Sequence, residues 1–272
     1  MRIVSLLPSA TEMICALGLR DQLVGVTHEC DFPESVVTLP RVTKTVIPHD
    51  AGSAQIDALV RDRARNRTAL YQLDVPALKA LRPDLVVTQA LCDVFECMLK
   101  VAHAAGATDQ GDTAIAELIR RTERIAERCR RLPAHPSVIF LEWIDPLFCG
   151  GHWNPELVQL AGGRELIGKA GARSRRIELE KLRHADPDVV FIACCGFSAE
   201  RASTDLPLLK RKPGWDELKA VKRNRVIVAD GSAYFNRPGP RLVDSLEKLA
   251  GLLHGTGCES ETHERMVGRT LG

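Results

Sequence analysis

Short runs of branched apolar residues alternate along the chain with stretches whose apolar positions recur at helical spacing. RIVSL (2–6), LVGVT (23–27) and DLVVT (84–88) predict strands of a first lobe, and SVIFL (137–141), DVVFIA (188–193) and RVIVA (225–229) predict strands of a second. Continuous apolar runs of this kind suit strands covered on both faces, as in a parallel sheet flanked by helices. The segment ELIRRTERIAERCRRL (117–132) carries Leu118, Ile119, Ile125 and Leu132 at helical spacing with no Gly or Pro. It predicts a stiff helix between the two groups. The expected layout is an N-terminal α/β lobe over 1–111, a linking helix over 112–133, a C-terminal α/β lobe over 134–254 and a flexible tail over 255–272.

Two segments echo one another. LKALRPDLVVTQALC (78–92) and LEKLRHADPDVVFIACCG (179–196) both run helix, Pro-Asp, apolar strand, cysteine-bearing loop, a likeness that any two β-α units could also show.

In open parallel sheets, ligands lie beyond the carboxyl ends of the strands. The segments there are PSATE (8–12), HECDFP (28–33), QALCD (89–93), EWIDP (142–146), CCGFS (194–198) and DGSAYFNRPGPR (230–241), with GGHWNPE (150–156) a little further on. Aromatic residues make up only 4% of the chain, yet these loops hold Trp143 and Trp153. Aromatics and polar groups gathered at one set of strand ends describe a ligand cleft. Ser9 to Glu12 has the spacing of a capping box, with Gly18 as the helix stop, and such a helix start can hold an anionic or carbonyl-bearing ligand.

Composition adds exclusions. With 45% hydrophobic and 26% charged residues over 272, the chain reads as globular, and 37 basic against 35 acidic residues give a net charge of +2. That balance gives no reason to expect nucleic acid or membrane insertion. RDRARNR (61–67) and RCRR (128–131) read as solvated helix faces. No run approaches the roughly 20 apolar residues of a membrane span, and the N-terminal apolar run ends too early for a secretory signal, so the chain as written reads as cytoplasmic. Nine cysteines, an odd number, read as reduced thiols. They show no Cys-x-x-Cys pair, and the chain lacks the signatures of serine hydrolases, phosphate loops, zinc proteases and dinucleotide sites. No catalytic residue, intrinsic cofactor or protein-held metal is expected; the competing reading is a cytosolic metal- or thiol-dependent enzyme or redox protein using Cys30, Cys92 and Cys195.

RIVSLLPSATEMICALGLRDQLVGVTHECDFP resembles the opening of the iron-siderophore and cobalamin substrate-binding proteins of ABC transporters, most of all the cobalamin-binding branch. LYQLDVPALKALRPDLVVTQALCDV, GGHWNPELVQLAGG, PDVVFIACCGF and DGSAYFNRPGPRLVDSLEKLA resemble the same branch, over residues 2 to 254. The resemblance implies two α/β lobes joined by one rigid helix, the helical-backbone or class III arrangement, with a cobalamin-like corrinoid or an iron chelate held between the lobes. It implies a monomer that delivers its ligand to an ABC-transporter permease, and a periplasmic location if the true start lies upstream. The positions it offers for ligand contact are His28, Glu29, Cys30, Gln89, Cys92, Trp143, His152, Trp153, Phe197, Tyr234, Phe235 and Arg237, to which the reading of the strand-end loops adds Ser9 and Cys195. One departure stands out: relatives continue from the QALCDV loop through another helix and strand, whereas here Val94 runs straight into Phe95, so the first lobe is expected to be shortened.

Overall fold

The computed structural model describes residues 1–48, 50–66, 68–87, 94–255 and 269–270. Two compact units divide the chain. The first comprises Met1–Ala51, Gln55–Arg120 and Pro238–Pro240, and the second Gly52–Ala54, Arg121–Arg237 and Arg241–Gly272.

In the first unit the expected strands form β1 (Ile3–Ser5), β2 (Leu23–Gly25) and β5 (Leu85–Val87), a parallel sheet in the order β2-β1-β5. Two strands that sequence patterning missed, β3 (Thr43–Thr45) and β4 (Tyr71–Leu73), pair antiparallel in a separate ribbon. Its side chains are mostly exposed, so no apolar alternation marks it. Helices α1 (Pro8–Ala16), α2 (Ser53–Arg65, whose first two residues belong to the second unit), α3 (Val75–Leu81) and α4 (Val94–Ala104) complete the set. The core joins Ile3 and Leu23 of the sheet to Ile14 and Leu17 of α1 and to Val101 and Ala102 of α4. Among the described residues β5 ends the sheet, and Val86 on it is exposed.

Helix α5 spans Thr108–Arg130, 23 residues or about 34 Å at 1.5 Å per residue. Its stripe of Ile115, Leu118, Ile125 and Cys129 is buried, and most of its many charged side chains are exposed. The helix begins before the expected 112–133, and the division between units falls within it, at Arg120.

The second unit is built on β6 (Ser137–Trp143), β10 (Val189–Ile192) and β11 (Val226–Val228), parallel and in the order β6-β10-β11. Every residue of β10 and β11 is buried. Short strands extend the sheet: β7 (Phe148–Cys149), β8 (Arg164–Glu165), β9 (Arg175–Arg176) and β12 (Arg269–Thr270). Arg269–Thr270 lies in the expected tail, and its backbone pairs antiparallel with β11; the rest of that tail beyond Gly255 is outside the described residues. Helices α6 (Asn154–Leu160), α7 (Leu179–Ala185), α8 (Ala199–Ser203), α9 (Leu206–Lys210), α10 (Lys219–Lys222) and α11 (Leu242–His254) pack around it.

The internal echo is structural. The seven-residue helices α3 and α7 end on the left-handed residues Arg82 (φ 44°) and Asp186 (φ 38°). A Pro-Asp pair follows each. Asp84 Oδ2 accepts the Arg2 amide at 2.7 Å, and Asp188 Oδ2 accepts the Ser137 amide at 2.9 Å. In both units, therefore, the aspartate before one strand fastens the start of its parallel neighbour.

Candidate functional site

In the second unit the strand ends carry an aromatic surface. The Trp143 ring lies 4.9 Å from Phe197, on whose other partner, the Arg201 guanidinium, the separation is 4.2 Å. Trp143 Nε1 donates to the carbonyls of Asp145 (3.1 Å) and Ser53 (3.3 Å), which fixes its plane. After β7 the chain turns through Gly150, Gly151 and His152. His152 is exposed and holds a left-handed φ of 53°, a conformation disfavoured outside glycine. Two backbone bonds clamp it there: its amide donates to Ala172 O (2.6 Å) and its carbonyl accepts from the Gly171 amide (2.8 Å). The neighbouring Trp153 is half-buried, its ring 5.7 Å from His152 and its Nε1 bonded to Phe235 O at 2.7 Å.

Glu142, which sequence reasoning passed over, organises this turn. Its carboxylate accepts from the Gly151 amide (2.9 Å), Asn154 Nδ2 (2.8 Å) and the Ser174 hydroxyl. The only sequence signal was a carboxylate ending an otherwise apolar strand.

Other expected contacts in this unit divide by burial. Cys195 is exposed and Tyr234 half-buried, with Lys248 Nζ 4.6 Å above its ring. Phe235 is 1% exposed and packs on Phe140 and Phe191, so it belongs to the core. Arg237 is 6% exposed, and its charge opposes the rise that burial causes in the Asp230 pKa. Phe197 is buried too and supports Trp143 from beneath. Cys194 is buried, which pushes its thiol pKa up to about 12, with the Asp205 carboxylate adding to the rise.

In the first unit the stretch after β2 is tied down. Arg41 Nη1 donates to the carbonyls of Thr27 and Cys30, both at 2.7 Å. Cys30 is 1% exposed, its Sγ 3.1 Å from Thr11 Oγ1 and 3.4 Å from Thr27 Oγ1, so it is a core thiol and not a presented one. His28 Nδ1 pairs with Thr43 Oγ1 at 2.7 Å, and its ring lies 5.3 Å from Tyr71. Nε2 of His28 is buried and has no partner among the described residues. The exposed Glu29 accepts from the Tyr71 hydroxyl at 3.3 Å. Ser9 is not a helix cap: α1 starts one residue earlier, with Pro8 in its first turn, Leu7 at the cap position and no capping side chain, while Gly18 ends it with φ 73°. Ser9 instead lines a cavity of about 290 Å³ formed by α1, β5 and α4.

Gln89 and Cys92 lie outside the described residues. Cys97 is disulfide-bonded, against the expectation of reduced thiols throughout. Among the described residues no three His, Cys, Asp or Glu side chains converge as metal ligands. The trio Cys30, Cys92 and Cys195 therefore presents one exposed thiol, one buried thiol and one residue without a description.

Comparison with known proteins agrees with this architecture. A family model described as periplasmic binding protein matches residues 87–233. The vitamin B12-binding protein of Vibrio cholerae (strain M66-2) is 24% identical over 262 residues, covering 93% of this chain and 88% of that protein. An uncharacterized ABC transporter substrate-binding lipoprotein of Bacillus subtilis, YvrC, is 24% identical over 260 residues, covering 92% and 78%. Among solved structures, S. aureus IsdE complexed with heme superposes with a TM-score of 0.71 at 17% identity, covering 93% of this chain and 98% of that one. Among the described residues no helix is long and apolar enough to cross a membrane.

Proposed function

Because the chain belongs to the periplasmic binding protein family, we propose that it is an ABC-transporter substrate-binding protein that captures a cobalamin-like corrinoid and releases it unchanged. The observation that carries this reading is the aromatic surface at the strand ends of the second unit. Trp143 is braced by Phe197 and by two hydrogen bonds, and Trp153 is locked through Nε1 beside an exposed histidine. Rigid indoles lose little conformational freedom on binding, and a flat conjugated macrocycle stacks well on them. The B12-binding relative, similar along almost the whole chain, supports the corrinoid over other flat ligands.

Within this reading Trp143, Trp153, His152 and Tyr234 of the second unit contact the ligand. Cys195, exposed on its loop, borders the same surface. The names of the relatives favour a periplasmic or lipoprotein setting over the cytoplasmic one expected from the sequence, and a transporter permease as partner.

A second reading is an iron chelate. It rests on the exposed imidazole of His152 beside the Trp153 ring, a side chain that can ligate iron.

Tryptophan fluorescence and melting temperature, followed during titration with cobalamin, test the proposal. Saturable quenching with a rising melting temperature supports it, and selective loss of quenching in Trp143→Phe and Trp153→Phe assigns the surface. Flat responses up to millimolar cobalamin reject the corrinoid, and a response to ferric chelates alone transfers the reading to the second class.

A further inference from the structure

The loop that clamps His152 is strongly basic. GKAGARSRR (168–176) holds Lys169, Arg173, Arg175 and Arg176 and no acidic residue, a charge of +4 in nine positions. All four side chains belong to exposed residues. Among the described residues only Arg176 has a carboxylate partner, the exposed Glu178 at 3.6 Å. Arg175 donates to the carbonyl of Ile167 at 3.1 Å, which leaves its charge unanswered. The acids nearest in the fold are engaged elsewhere: Glu142 holds Gly151, Asn154 and Ser174, and the carboxylate of Glu165 takes the amides of Phe140, Ile167 and Gly168. Like charges this close repel one another, so an anion among them is stabilising. The fold seats this loop against the aromatic surface. Its strand β9 pairs with β7 through Phe148 with Arg176 and Cys149 with Arg175. Ala172 O accepts the His152 amide at 2.6 Å, and a Cβ on Gly151 would stand 2.3 Å from the Ser174 nitrogen. Arg173 thus lies between two residues that touch the turn of Gly151 and His152, its Cα about 3.8 Å from each of theirs. The Trp153 ring follows 5.7 Å from His152.

We propose that Lys169, Arg173 and Arg176 form a subsite for ionised carboxyl groups at the rim of the macrocycle, so that the preferred corrinoid carries free carboxylates where cobalamin carries amides. This rests on the corrinoid reading and narrows its substrate class. The flat ring stacks on the indoles while its edge meets the loop. A guanidinium can give a carboxylate two parallel charge-assisted hydrogen bonds, whereas a neutral amide answers no charge. Because the basic side chains are exposed, water and salt screen each contact, and selectivity comes from several acting together.

Tryptophan quenching of the full chain by cobalamin and by its mono-, di- and tricarboxylic acids, made by hydrolysing peripheral amides, tests it. The titrations are run at ~0.01 M and ~1 M salt, between which the screening length falls from about 30 Å to about 3 Å. At low salt each added carboxylate tightens binding ~2- to 5-fold, the range of exposed ion pairs, and at high salt the gain disappears. Replacing Arg173→Gln and Arg176→Gln together lowers the affinity ratio of tricarboxylate to cobalamin at least ~3-fold. Arg164→Gln, an exposed position paired with the start of β6, leaves that ratio unchanged and controls for net charge. A tricarboxylate that binds no tighter than cobalamin overturns the proposal and leaves the corrinoid reading standing. So does a preference that survives high salt, one that the folded loop variant retains, or one that Arg164→Gln reduces as much. Absence of binding by every corrinoid in the series removes the corrinoid reading and this proposal with it.

Discussion

Trp153 Nε1 donates to the carbonyl of Phe235 at 2.7 Å, joining the turn after β7 to the turn after β11. One partner is a half-buried ring on the proposed binding surface and the other a core residue packed on Phe140 and Phe191. The surface ring is thus anchored directly to the hydrophobic core.

Trp153→Phe keeps an aromatic ring and removes the donor. Loss of one hydrogen bond at a partly buried carbonyl costs about 1–2 kcal/mol. Urea unfolding should show that loss with an unchanged denaturant slope, since the surface exposed on unfolding stays the same.

Gly231 opens the turn after β11 with no room for a side chain: a Cβ there would stand 2.1 Å from the carbonyl oxygen of Cys194. The obstacle is backbone, so relief requires moving β10 or the turn. Gly231→Ala should cost about 1–3 kcal/mol by thermal or chemical unfolding. Gly18→Ala meets no neighbouring atom and reports only the cost of its left-handed backbone.

Asp188 has a pKa held well below the ordinary carboxyl value, first by the hydrogen bond from the Ser137 hydroxyl (2.6 Å), with Lys219 Nζ adding a contact at 2.9 Å. A depressed folded-state pKa stabilises the fold above the unfolded value, and the stabilisation is lost as pH falls through the folded value. Asp188→Asn should therefore lower the melting temperature most near pH 7. The gap should begin to close below the unfolded pKa of 3.8 and disappear in stronger acid. A gap constant from pH 7 to pH 2 contradicts the assignment.

Cys194 and Cys195 are adjacent in sequence and opposite in environment. Burial pushes the Cys194 thiol to about 12, while Cys195 is exposed. Because the thiolate is the nucleophile, iodoacetamide at pH 8 should label Cys195 and spare Cys194, with peptide mass spectrometry as the readout. Equal labelling would show that the end of β10 opens in solution.

Much of this was legible in the sequence. Five of the six principal strands fall within the segments their apolar runs predicted, and β6 runs two residues past its own to Trp143, because uninterrupted apolar runs mark such strands. The ribbon of β3 and β4 escaped because TKT and YQL bury almost nothing. At the site, residue type was informative and exposure was not. Trp143 and Phe197 look equivalent in sequence, yet one is half-buried at the surface and the other supports it from below. Phe235 and Arg237 turn inward because the turn after β11 folds back onto the core, a tertiary choice that local spacing does not encode. Glu142 escaped for the same reason, since its partners Gly151, Asn154 and Ser174 come from distant stretches.

Equilibrium dialysis of the full chain against cobalamin, with ferric chelates run in parallel and bound ligand read from visible absorbance, tests the central claim most directly. The expected result is one cobalamin retained per chain at micromolar concentration, reduced at least ~10-fold by Trp143→Ala, as loss of a well-packed aromatic contact requires. Equal absorbance on both sides of the membrane for every chelate, with folded protein, would contradict it.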